Sequence, residues 1–226
     1  MPKTIYFTRH AQATHNVDPV FESASQRRDA PLTDIGREQA AALHQDTKDS
    51  GVQREAELLV ASPLRRPVQT MLIGYPDLVQ RLQRPNIILL PELQEITNLP
   101  CDTGLERHEL EGDPELAGLD FSVLDQSVER HGVSWTSKKG FFDAVNVEKR
   151  AVWVKKWLRA RPEEVIVVVA HGDILWIMTG DHGEAHWANA EVRAYTFVSE
   201  DDELAAMKPI GTVAKEGADE PTSSEK

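Results

Sequence analysis

A chain of 226 residues with 25 Lys+Arg against 37 Asp+Glu carries a formal charge of −12, and its 40% hydrophobic share fits one soluble globular core. So acidic a balance excludes the broad basic faces that nucleic acid and anionic membranes select, and its mean field opposes a phosphorylated ligand. The single cysteine, Cys101, excludes an intramolecular disulfide and a cysteine-cluster zinc site, and the longest apolar run, Val165 to Ala170, is too short for a bilayer.

The opening MPKTIYFTRH lacks the apolar core of a signal peptide, so an intracellular soluble protein, cytoplasmic or nuclear, is expected. Thr4 to Phe7 are β-formers that run into Arg9-His10, so a strand should end at that histidine. After a polar stretch to Pro31, Thr33 is a helix N-cap, with Ile35, Gln39, Ala42 and Leu43 at helical spacing. Leu58 to Ala61 reads as a second strand ending at Ser62, and Leu64 to Tyr75 as a helix that holds Pro67 in its first turn. Ile87 to Leu90 is a third strand. Glycines and prolines punctuate 104–142, which is expected to be an insertion over one face of the core. Val147 to Ala160 is an amphipathic helix, and the β-branched run Val165 to Ala170 is a strand buried on both faces that stops at His171. A further helix and a strand over Val192 to Val198 complete one domain over 1–208. The Gly-, Ser- and Glu-rich 209–226 is expected to be a disordered tail.

Strands that alternate with helices predict an α/β fold, a three-layer sandwich around a mostly parallel sheet. Such sheets bind ligands beyond the carboxyl ends of their strands. Three of those ends carry His10, Ser62 followed by Arg66, and His171, so the fold should bring them to one edge. An imidazole can attack phosphorus to give a labile adduct, and two guanidiniums can hold phosphoryl oxygens. A departing alkoxide then needs a proton, which a carboxylic acid can supply.

Thr8-Arg9-His10 with Asn16 resembles the opening motif of the histidine phosphatase superfamily, in its phosphoglycerate mutase-like branch. Asp29-Ala30-Pro31-Leu32-Thr33 with Gly36 and Gln39-Ala40 is similar to the family's D-x-P-L-T-x-x-G-x-x-Q-A segment. Ser62-Pro63-Leu64-Arg65-Arg66-Pro67-Val68-Gln69-Thr70 resembles S-P-L-x-R-A-x-Q-T and puts the functional arginine at Arg66. Leu93-Gln94-Glu95 resembles the segment that carries the proton donor, and Val169-Ala170-His171-Gly172 the closing motif. Asn98 to Gly104 is similar to a variant of fungal members.

The resemblance implies a phosphoglycerate mutase-like fold and a nucleophilic His10 that becomes phosphohistidine. Arg9, Arg66 and His171 would bind the transferring phosphoryl group, with Asn16 as a further contact and Glu95 as proton donor. Glu92, three residues upstream, competes for that last role. No metal and no organic cofactor is expected. Ala11 stands where the family has glycine, which would strain a turn that needs positive φ, and Pro67 stands for alanine. Phe21 to Arg28 lacks the aromatic, glycine-rich segment of the mutases, so hydrolysis is favoured.

The reading is therefore a metal-independent, histidine acid phosphatase-type phosphomonoesterase. A mutase and a catalytically silent phosphate-binding scaffold are the alternatives. The partner is a phosphorylated small molecule or phosphoprotein, with no nucleic acid or membrane, and the oligomeric state is left open. His15 is either a substrate contact or a loop residue. His182 and His186 stand at i and i+4 without a third metal ligand. Arg27 and Arg28 are either steering charges or a solvated loop. Lys138-Lys139 is expected to be solvated, and Trp135, Phe141 and Phe142 to pack against the core in preference to lining a substrate pocket in the insertion.

Overall fold

The computed structural model describes residues 2–17, 26–180 and 186–214. Six strands, β1 (Thr4–Arg9), β2 (Leu58–Ala61), β3 (Ile88–Leu89), β4 (Val165–Ala170), β5 (Val192–Phe197) and β6 (Met207–Ala214), form one sheet in the order β3-β2-β4-β1-β5-β6. The first four in that order are mutually parallel, and β5 and β6 close one side antiparallel. The long helices are α1 (Asp34–Asp49), α2 (Arg65–Gly74), α3 (Ser122–His131), α4 (Val147–Ala160) and α5 (Gly172–Thr179).

Side chains alternate across a strand, so the unbroken apolar run of β4 serves both faces. Val167 and Val169 join Leu59, Ala61, Ala40 and Leu43 of α1, and Val68 and Met71 of α2 on one face. Ile166, Val168 and Ala170 join Phe7, Val154 and Leu158 of α4, and Ile174 and Met178 of α5 on the other. The result is the expected three-layer α/β sandwich. Residues 104–142 contribute Leu116, Phe121, Leu124, Trp135 and Phe142 to the first of these cores.

One expectation is corrected. Residues 209–214, read as tail, belong to β6, which pairs with β5 from Val192 to Phe197. The segment has Lys208, Pro209 and Gly211 because it is an edge strand: its middle is exposed, and edges tolerate residues that interior strands exclude. Residues 215–226 lie outside the described residues. No described helix is long and apolar enough to cross a membrane.

Candidate active site

Strand register puts the predicted residues at one level. Arg9 pairs with Ala170 and Ala61 with Val169, so the next residues, His10, His171 and Ser62, emerge together. The His10 and His171 rings lie 5.1 Å apart, and His171 Nε2 is 2.8 Å from Ser62 Oγ. His10 Nδ1 sits 2.7 Å from the Ala11 carbonyl, which can only accept, so Nδ1 carries the hydrogen and Nε2 keeps its lone pair. Arg66 Nε donates to that Nε2 across 3.1 Å. Burial first, then Arg66, Arg9 and His15, hold His10 well below the ordinary imidazole range. His171 is lowered likewise by burial, Arg66, His10, Lys138 and His15, and its Nδ1 is buried with no partner among the described residues.

Local chemistry explains how each motif serves this cluster. Arg65 and Arg66 are adjacent but diverge. The Asp29 side chain caps α2 by accepting from the Arg65 N–H at 2.8 Å, and the Arg65 guanidinium donates to the Asp29 carbonyl. Arg66 turns inward and is fully buried. Pro67 lies in the first turn of α2, where its missing N–H is no loss. Gly36 fits because a Cβ there would stand 1.9 Å from the Gln12 carbonyl oxygen, in the loop that follows His10. Ala11 is not among the residues with positive φ, so replacing glycine brings no strain at that position.

Arg9 is buried and its Nη1 donates to the Trp187 carbonyl. The buried His15 ring lies 5.9 Å from His10, and Asn16 Oδ1 accepts from the Ala13 N–H at 2.9 Å, which shapes the turn beside the histidines. His15 therefore lines the cluster. Glu95 is seated at the start of α5: its Oε1 accepts from the Ile174 and Ile96 N–H groups at 3.2 and 3.0 Å, and its Oε2 from the Asp173 N–H at 3.4 Å. Burial, then Asp173 and Asp102, push its carboxyl up to about 8 against the pull of Arg66, so it holds a proton at neutral pH. Glu92 is directed elsewhere, with Oε1 2.7 Å from His131 Nε2 and accepting from Arg130 Nε at 3.0 Å. The two carboxyls are thereby distinguished.

Two residues that the sequence reading missed complete the cluster. Asp102, fully buried, accepts from Arg66 Nη2 at 2.7 Å, while Arg66 Nη1 donates to the Cys101 carbonyl at 2.7 Å. Burial alone would raise Asp102, but Arg66, His15, Lys138 and the Thr97 hydroxyl outweigh it and hold the carboxyl below the ordinary range. The segment Asn98 to Gly104 was its only signal, and it reads as lineage without the fold. Lys138, expected to be solvated, is 9% exposed and donates to the Glu95 carbonyl at 2.9 Å, while Lys139 is exposed as expected. The turn that bends Lys138 inward, with φ at 52°, leaves no trace in composition.

The remaining expectations divide. Trp135 and Phe142 are core residues, and Phe141 stacks on His131 at 3.8 Å. Arg28 pairs with Glu106 at 3.2 Å and Arg27 is exposed. His182 and Phe21 to Ser25 lie outside the described residues, and His186 stacks on Trp176.

The model of the histidine phosphatase superfamily, branch 1, matches residues 5–198. The chain belongs to that family. A Schizosaccharomyces pombe protein named as a probable phosphatase is 29% identical over 173 residues, 75% of this chain and 74% of that one. The Arabidopsis thaliana phosphoglycerate mutase-like protein 1 is 27% identical over 87% of this chain and 81% of its own length. The structure of a mycobacterial glucosyl-3-phosphoglycerate phosphatase shares the fold with a TM-score of 0.56 at 18% identity, over 95% of this chain and 100% of that one. As a branch 1 histidine phosphatase, the chain carries its family motifs on the carboxyl ends of β1, β2 and β4.

Proposed function

We propose that this histidine phosphatase hydrolyses a phosphomonoester through a phosphohistidine at His10. The observation that carries the reading is a neutral His10, its Nε2 lone pair held by Arg66 Nε, together with a neutral Glu95 that holds a proton for the leaving group. His10 Nε2 attacks phosphorus, the bond from phosphorus to the ester oxygen breaks, and the Glu95 proton passes to that oxygen. Water then attacks the phosphohistidine, Glu95 takes its proton back, and inorganic phosphate leaves with His10 restored. Arg9 and Arg66 offset the phosphoryl charge, and His171, whose Nε2 Ser62 can occupy, has Nδ1 left for a phosphoryl oxygen. Asn16 and His15 shape and line the same pocket.

Hydrolysis is preferred to phosphoryl transfer between two positions of one substrate for two reasons. The residues from Phe21 to Arg28 lack the mutase pattern, and the Schizosaccharomyces pombe relative is named as a phosphatase. The test is hydrolysis of p-nitrophenyl phosphate with mass spectrometry of quenched enzyme. Turnover and a phosphoryl adduct on His10 are expected, and both should vanish in His10→Ala. Activity retained in His10→Ala overturns the reading.

A further inference from the structure

Four buried hydrogen bonds run head to tail around His10. Its Nδ1–H donates to the Ala11 carbonyl at 2.7 Å, and the Ala11 N–H donates to Thr70 Oγ1 at 3.0 Å. The Thr70 hydroxyl donates in turn to the Arg66 carbonyl at 2.8 Å, and Arg66 Nε returns to His10 Nε2 at 3.1 Å. Every donor points the same way around this circuit, so each bond polarises the next.

Thr70 is the member of the circuit that the phosphatase chemistry leaves unused. It stands on α2 one turn beyond Arg66, wholly buried, and ends the motif that opens at Ser62. A hydroxyl suits the position because one atom must both accept from an amide and donate to a carbonyl. A methyl group in its place would leave the buried Ala11 N–H without an acceptor.

The neighbouring contacts show what depends on Thr70. The Arg66 guanidinium is fixed without it, through the Cys101 carbonyl and Asp102. Gln39 Oε1 accepts from the Gln12 N–H at 2.8 Å and so orients the peptide that follows Ala11. The peptide between His10 and Ala11 is joined directly to the His10 Cα. Its N–H is held by Thr70, while its carbonyl meets the Ala190 N–H at a longer 3.4 Å.

We propose that Thr70 is a positioning residue for the nucleophile: its hydroxyl ties the His10 backbone to the helix that carries Arg66 and so aims the imidazole at the phosphoryl site. The inference rests on the phosphatase reading above and adds to it a group that never touches substrate. It acts through Ala11, so phosphoryl binding by Arg9, Arg66 and His171 does not need it.

The experiment is rapid-quench measurement of phosphohistidine formation from p-nitrophenyl phosphate by the full chain, with the inhibition constant of inorganic phosphate measured alongside. Thr70→Val keeps the shape and removes the hydroxyl, and should slow phosphohistidine formation about tenfold or more. Phosphate inhibition should stay within about twofold, and Thr70→Ser, which restores the hydroxyl, should recover most of the rate. Thr70→Ala, too small to crowd α2, repeats the test. Tyr75→Phe removes another buried hydroxyl contact to the same strand, the 2.6 Å pair with Thr8, and should leave the rate within about twofold. A normal rate in Thr70→Val and Thr70→Ala, equal losses in Thr70→Val and Thr70→Ser, a loss as large in Tyr75→Phe, or phosphate inhibition that weakens in step with the rate each overturns the positioning role and leaves the phosphatase reading standing. Absence of phosphohistidine in the unaltered chain overturns both.

Discussion

Arg66 Nε donates to His10 Nε2, so the lone pair that would attack phosphorus is held by the guanidinium that would receive the phosphoryl oxygens. The contact keeps the ring neutral, because a fixed cation beside it disfavours imidazolium. It also means that an arriving phosphoryl group takes over a hydrogen bond already pointed at the reaction centre. Attack then proceeds with little reorganisation of the donor.

Replacing this guanidinium by an ammonium should show how much of its role is shape. Lysine keeps the charge but cannot reach His10, Cys101 and Asp102 at once. We expect Arg66→Lys to lower kcat/KM for p-nitrophenyl phosphate by about 10²- to 10³-fold. A loss below about fivefold would mean that charge alone suffices.

Asp102→Ala should destabilise the fold. It leaves a fully buried guanidinium without its counter-charge, and breaking such a pair costs about 3–5 kcal/mol. Urea unfolding reads the change directly. A cost under about 1 kcal/mol would place the Asp102 charge outside the energetics of the site.

Glu95, with its carboxyl near 8, serves as an acid only while it holds its proton. Hydrolysis of an alkyl phosphate should therefore decline as pH rises through about 8 and should persist well into acid, where His10 stays neutral. Glu95→Gln should slow alkyl phosphates by about 10²-fold or more and p-nitrophenyl phosphate far less, since nitrophenolate departs without a proton. Equal slowing of both would assign the proton to another group.

The two buried imidazoles also link stability to pH. Each has a folded-state pKa well below 6.5, so below that value the unfolded chain binds protons that the native one excludes. Their contribution is present above the unfolded pKa and is lost as pH falls toward the folded one. Urea midpoints should therefore drop between about pH 7 and pH 5, and the drop should be smaller in His171→Gln. An identical drop in that variant would attribute the acid sensitivity to other groups.

Gly104 follows the Asp102 loop and lies against Trp135 of the insertion. A Cβ there would stand 1.8 Å from the indole ring, which is buried and cannot yield. Gly104→Ala should thus cost about 1–3 kcal/mol or more in urea unfolding, and kcat/KM should fall as the Asp102 loop shifts. Near-native stability would show that the insertion can move away from the core.

Much of the molecule was legible without the fold, because its signals are local. The β-branched run of β4, the helical spacing of Val147 to Ala160 and the Thr33 cap act through neighbours in sequence, and each stands where it was expected. His10, Ser62 and His171 were readable as strand ends, and parallel pairing then places such ends together. Residues 209–214 misled because an edge strand leaves much of its surface in water, so its composition matches that of a tail.

The sequence alone therefore determined the family, the layered α/β fold and the histidines and arginines gathered at one sheet edge. Only the tertiary structure decided the protonation of Glu95, the pairing of Asp102 with Arg66 and the burial of Lys138. The physical reason is that desolvation and charge pairing act through space: Arg66 and Asp102 are separated by 36 positions, and Lys138 and Glu95 by 43. The formal charge of −12 counts every side chain equally, whereas the candidate site depends on the few cations that folding buries beside two neutral imidazoles.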